Sequence, residues 1–205
     1  MKRTPILLVL GLLASGALTV FAGGCAKTQV TRVDTDSTID LSGGWNDTDS
    51  RMVSETMVAD CLAAPWLNRH AMAEGKNPVI IVGSIRNKTS EHVATDIFLK
   101  DLERACVISG LVDVVASADE RDQVRGERMD QRVNADAETV KQMGLELGAD
   151  YMLIGTINEQ GDAAGGSEVF FFSTDLELVK IQTNQKVWIG NEKIKKIKQK
   201  GKYKG

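Results

Sequence analysis

Two histidines and three cysteines in 205 residues leave little from which to build a metal centre or a nucleophilic active site. No C-x-x-C, H-E-x-x-H, G-x-S-x-G, G-x-x-x-x-G-K-[ST] or G-x-G-x-x-G occurs. The motif-borne routes to zinc, acyl transfer, nucleotide phosphate and dinucleotide chemistry are therefore closed. His70 stands beside Arg69 in a short polar stretch and His92 lies in "SEHVAT". Neither has a sequence neighbour that would orient it as a base, so both read as surface or loop-packing residues. The sequence offers no catalytic residue, no metal-ligand set and no cofactor.

Proline is as scarce, with only Pro5, Pro65 and Pro78. Basic charge is short through the body of the chain. Residues 26–192 carry 16 basic against 28 acidic side chains, while residues 193–205 hold seven lysines and no acid. An acidic body with few aromatics among its cations excludes a nucleic-acid surface. The lysine-rich end reads either as an interaction tail for anionic lipid or an acidic protein, or as a solvated edge strand whose lysines discourage aggregation.

Long apolar runs are confined to one place. Ile6–Phe21 follows Lys2 and Arg3 and ends in Ala22-Gly23-Gly24-Cys25, a signal peptide over residues 1–24 closing in a bacterial lipobox. The box departs at Ala22, where leucine is usual. Cys25 is thus expected to be acylated and to become the mature N-terminus. Ala26 is not an aspartate, the usual inner-membrane retention residue, so the expected address is the periplasmic face of the outer membrane. No other run reaches the roughly 18 residues of a membrane span. Cys61 and Cys106 fall on the apolar stripes of expected helices. The compartment permits a disulfide, spacing does not show that their Cα atoms come within reach, and two buried thiols are the preferred reading.

Residues 25–47 read as the lipidated cysteine and a short polar tether, with one edge strand in "QVTRV"; residues 48–200 follow as one domain, and 201–205 as a basic tail. A helix from Asp49 is spaced by Val53, Met57 and Cys61, and Pro65 restarts a second one ending at Gly75. "PVIIVGSIRN" predicts a buried strand, "TDIFLKDLERACVISG" a helix closed by Gly110, and "LVDVV" a strand. "SADE" has capping-box spacing and opens a charged helix to about Arg132; another helix is expected from Asp136 to Gly148. "ADYMLIGTIN" is a strand and "GDAAGGS" a flexible loop. "VFFFSTDLELVKIQ" and "KVWIGNEKIKKIK" form a hairpin joined at Thr183–Gln185, with a bulge where the apolar phase slips after Leu178. Strands separated by helices and then a terminal hairpin predict an α/β (α+β) domain with a mixed sheet and flanking helices.

"DTDS" occurs at Asp34–Ser37 and Asp47–Ser50. Neither copy has the glycine and distal glutamate of a calcium loop: the sixth and twelfth places from Asp34 are Ile39 and Trp45, and the sixth from Asp47 is Met52. The second copy reads as a helix cap supplied by Asp47, Thr48 or Asp49.

"WNDTDSR", "PVIIVGSIRNKTSEHV" with "FLKDLERACVISG", "GADYMLIGTI" and "LELVKIQTNQKVWIGNEKI" together resemble the penicillin-binding protein activator LpoB family over nearly all of residues 30–195. The resemblance implies a non-enzymatic, monomeric outer-membrane lipoprotein with a domain like the N-terminal domain of TolB. It also implies a class A penicillin-binding protein as partner, whose glycan polymerisation and peptide crosslinking it stimulates. The long proline-rich tether of the best-known members is missing; about 22 residues span at most roughly 75 Å at about 3.4 Å each. For the contact surface, the polar strand-end loop around Arg86, Asn87 and Lys88 is the candidate. The competing reading is a lipoprotein assembly resembling the curli secretion channel family. It would need membrane-inserting strands, for which "EVFFFSTDLELV" is the sole candidate.

Overall fold

Asn46 caps the first helix. Its side-chain oxygen accepts the Asp49 N–H at 3.0 Å, and the Asp49 carboxylate accepts the Asn46 N–H at 2.9 Å, a reciprocal capping box for α1 (Asp47–Ala63). The cap is thus Asn46, one residue before the expected aspartates, and Asp49 acts from inside the first turn. A computed structural model describes residues 29–35, 37–134 and 146–199. Residues 29–35 lie in a separate unit ending at Thr35, are exposed and form no helix or strand. The expected "QVTRV" strand does not form, because Val30 and Val33 fall three apart and cannot share one face of a strand. Cys25, residues 135–145 and 200–205 lie outside the described residues, and with them most of the helix expected from Asp136; residues 146–149 are not helical.

The remaining elements are α2 (Pro65–Glu74), β1 (Val79–Lys88), α3 (Thr95–Ser109), β2 (Asp113–Val114), α4 (Ala118–Asn134), β3 (Tyr151–Ala164), β4 (Ser167–Lys180) and β5 (Gln185–Gln199). Pro65 opens α2, and Gly75 and Gly110 close α2 and α3 in the left-handed region, where glycine carries no Cβ penalty. Ser117 and Glu120 form the expected second capping box: the Ser117 N–H donates to the Glu120 carboxylate at 2.9 Å, and Glu120 N–H to Ser117 Oγ at 3.4 Å.

One mixed sheet runs β2-β1-β3-β4-β5. β1 pairs in parallel with β2 and β3, which requires the α3 and α4 crossovers; β3, β4 and β5 are antiparallel. "LVDVV" contributes only two strand residues. "GDAAGGS" is not a loop. Gly161–Ala164 extend β3, Ser167 opens β4, and only Gly165 and Gly166 turn, at φ 58° and 84°. Two consecutive positive φ values make the tight hairpin turn whose twist matches antiparallel strands. The slip near Leu178 is a bulge, with the extra residue on β5: Leu178 opposes Trp188 and Val179 opposes Lys186, leaving Val187 over.

α1 and α3 cover one face of the sheet. Met57 and Cys61 of α1 and Phe98 and Leu102 of α3 pack on Ile80, Leu153, Leu176 and Leu178, all at most 6% exposed. Trp45 sits edge-on between Phe98 and Phe172, at 6.0 and 5.7 Å between centroids, and donates its indole N–H to Ser50 Oγ at 2.7 Å. Cys61 and Cys106 are free thiols facing this core. α4 buries no residue. It is tied to α3 where Lys100 pairs with Glu120, whose carboxyl that contact lowers to about 2. Among the described residues no helix is long and apolar enough to cross a membrane.

Candidate functional site: the open face of the sheet

Strand alternation sends every second side chain of β1, β3, β4 and β5 to the face that the helices leave bare. The register fixes its rows. Lys88 stands beside Asn158, Ser173 and then Lys193; Arg86 stands beside Thr156, Asp175 and Asn191. The next row places Gln160, Phe171 and Lys195 together. At about 4.8 Å per strand, Lys88 and Lys193 bracket the face some 14 Å apart.

Two of the acids on this face are already engaged, and a third, Asp162, stands in the row of Val169 and Ile197. Asp175 accepts from Asn158 Nδ2 at 3.1 Å and from Asn191 Nδ2 at 2.7 Å, and Glu177 accepts from Lys186 at 2.8 Å. Among the described residues, the side chains of Arg86, Lys88, Lys193 and Lys195 make no hydrogen bond or ion pair. Four uncommitted cations thus face outward from a chain whose body is acidic. Beside Arg86 and Lys88 runs a shallow cleft of about 360 Å³, lined also by Ser84, Thr156, Asp175 and Glu177. Met152, Ile189 and Ile197 add exposed apolar surface to the same face, Ile189 at 61% and Ile197 at 65%. Cations, an open cleft and bare apolar side chains are the chemistry of a protein-docking surface.

Arg86 and Lys88, singled out from the sequence, fall on this face. Asn87 points the other way and is used inside the chain: its Nδ2 donates to Glu91 O at 2.8 Å and its Oδ1 accepts the Thr89 N–H at 2.9 Å. Ser90 closes the turn onto β3 through the Glu159 carboxylate, by its N–H at 2.8 Å and hydroxyl at 2.7 Å. Sequence reasoning missed Lys193 and Lys195, which it placed in an undifferentiated basic end. The alternation in "KIKKIK" carried the signal, with Lys193 and Lys195 on one face and Ile194 and Lys196 on the other.

The two histidines divide. His92 is exposed in its loop, whereas His70 is buried against Tyr151 and is not the surface residue its polar neighbours suggested. Among the described residues no group of three or more His, Cys, Asp or Glu side chains is placed to hold a metal ion. "EVFFFSTDLELV", the segment a membrane-inserting strand would have needed, is β4, paired on both sides by β3 and β5.

Comparison with known proteins adds the family. The LpoB C-terminal domain from Escherichia coli shares 17% identity at a TM-score of 0.43, covering 71% of this chain and 98% of that one. The same domain from Salmonella enterica gives 17%, 0.42 and the same coverage. Lipoprotein GNA1162 from Neisseria meningitidis gives 18% and 0.40, covering 62% of this chain and 88% of that one. No curated protein matches in sequence. The model of the peptidoglycan-synthase activator LpoB family matches residues 49–194, from the first turn of α1 almost to the end of β5. By that match, the chain belongs to the LpoB family of peptidoglycan-synthase activators.

Proposed function

We propose that this protein is a non-enzymatic regulator, held on the periplasmic face of the outer membrane by acylated Cys25, that docks on a class A penicillin-binding protein and raises its peptidoglycan-synthesising activity. Family membership supplies the role, and the open face with its four uncommitted cations is the observation that carries the docking. Arg86 and Lys88 meet the partner directly, and Asn87 fixes the strand end that presents them. The partner's complementary surface is acidic.

An activator of this kind works by binding the active state of its partner more tightly than the inactive one. Each tenfold preference is worth about 1.4 kcal/mol. On this reading the open face contributes that difference in affinity. Reversing charge at Arg86 and Lys88 together tests the surface. The double glutamate variant keeps its fold, since both side chains are exposed and unpaired, and loses binding to the synthase. Wild-type affinity in that variant would remove the open face from the interface.

A further inference from the structure

A second polar site lies at the N-terminal ends of β1 and β3, where α2 meets the β4–β5 turn. His70 on α2 is 6% exposed. Its Nδ1 lies 3.1 Å from the Tyr151 hydroxyl, while its Nε2 is enclosed and has no hydrogen-bond partner among the described residues. The nearest carboxylate oxygen is Asp150 Oδ2, at 4.0 Å. That distance is too long for a hydrogen bond and suits a donor or acceptor shared between the two groups. Asp150 is not free to close the gap. Its Oδ2 accepts the Val79 N–H at 2.9 Å, its own N–H donates to Val79 O at 2.8 Å, and its carbonyl accepts the Ile181 N–H at 3.0 Å.

The gap opens on a cleft of about 390 Å³ lined by His70, Glu74, Asp150, Lys180 and Gln182. A smaller lobe of about 160 Å³ shares His70, Glu74 and Lys180 and adds Arg69 and Gln185. Its wall is aromatic, with Trp66 and Tyr151 edge to face at 5.1 Å. Among the described residues the side chains of Arg69, Glu74 and Lys180 make no hydrogen bond or ion pair. The cleft therefore presents two carboxylates and an unfilled imidazole nitrogen together with two unpaired cations. An unsatisfied buried polar atom is costly to the fold, and an occupant of the right chemistry relieves that cost.

We propose that this cleft binds a small zwitterion carrying an ammonium and a carboxylate, as a free amino acid or the ends of a short peptide do. The ammonium donates to His70 Nε2, Asp150 and Glu74, and the carboxylate faces Lys180 and Arg69. With Nε2 accepting, the imidazole proton sits on Nδ1 and is donated to the Tyr151 oxygen. A simple cation would leave Lys180 and Arg69 unanswered, and a simple anion would meet Glu74 and Asp150.

Calorimetric titration of the full-length protein in detergent with glycine, glycylglycine, methylammonium and acetate tests the assignment. The zwitterions bind, and the tighter of the two reports whether the free amino acid or the peptide spacing fits. Methylammonium and acetate each bind at least about tenfold more weakly. Glu74→Gln and Lys180→Met each weaken zwitterion binding about fivefold or more while leaving the unliganded melting temperature unchanged. The His70 Nε2 resonance moves on addition of zwitterion in nitrogen-detected NMR. No binding at millimolar zwitterion, equal binding by the single-charge probes, or an unmoved imidazole resonance would each overturn it, leaving a bridging water only.

Discussion

The ammonium of Lys196 lies 2.6 Å from the Asp49 carboxylate, on the same oxygen that accepts the Asn46 N–H and closes the first helix. A side chain near the end of β5 therefore holds the cap of α1. The Gly44 carbonyl at 3.0 Å and Asp40 at 2.6 Å complete the shell. Burial alone would depress the Lys196 ammonium, and the hydrogen bonds it donates to Asp40 and Asp49 outweigh that, so its pKa is raised.

Lys196→Met removes the one cation from a pair in which Lys196 is 10% and Asp49 7% exposed. The stranded carboxylate costs about 3 kcal/mol, read as a lower midpoint in urea unfolding. Because the folded pKa is raised, the contribution of Lys196 is complete below its unfolded pKa and is lost as pH rises through the folded value. Wild type and variant converge in strong alkali, and the contribution of the Lys196–Asp40 contact is lost in acid as well, because that contact lowers the Asp40 pKa. A change under half a kcal/mol at neutral pH would remove the clasp from the stability of the fold.

The two core thiols give a second pH dependence. Burial pushes Cys61 up to about 12 and Cys106 up to about 11, from an ordinary value of 9.0. Both are held as neutral thiols, so their contribution is full below pH 9.0 and is lost as pH climbs toward about 11 and about 12. Ellman's reagent leaves the native protein unlabelled at neutral pH and labels both thiols in denaturant. Rapid labelling of the native state would contradict their burial.

At Gly155 a Cβ would meet the Asp175 carbonyl oxygen and a Leu176 methyl. One of the two obstacles is backbone, so β3 and β4 must separate to admit it. Gly155→Ala is expected to cost about 2 kcal/mol in equilibrium unfolding, from overpacking. Gly126→Ala, where a Cβ meets nothing within 4 Å, serves as the control and holds or gains stability.

The anchor is tested by Cys25→Ala. If Cys25 is acylated as proposed, the wild type is expected to fractionate with membranes, since each buried CH₂ of an acyl chain contributes about 0.8 kcal/mol, and the variant to be released to the soluble fraction. Retention of the variant on membranes would place the attachment elsewhere.

Element type was legible wherever one signal dominated: the proline that opens α2, the glycines that close α2 and α3, the β-branched run of β1, and the Ser117–Glu120 box. The errors came where the signal needed a partner to be read. "GDAAGGS" lacks large side chains and looks like a loop, but the β3–β4 ladder takes in every residue of it except the two turn glycines. Asn46 and Asp47 are both good caps, and the choice between them was made by the reciprocal bond to Asp49 three residues on. His70 looked superficial among polar neighbours because α2 buries only Trp66 and His70. On the open face, Arg86 and Lys88 were visible in one strand. Their companions Lys193 and Lys195 lie more than a hundred residues away and are brought alongside only by the β1-β3-β4-β5 order.

The most direct test of the regulatory reading is glycan polymerisation by a purified class A synthase from the same cell, measured with and without a soluble form beginning at residue 26. The rate is predicted to rise with the wild-type protein and to stay at its basal value with the Arg86→Glu, Lys88→Glu double variant. No change in rate together with no binding by the wild-type protein would contradict the account.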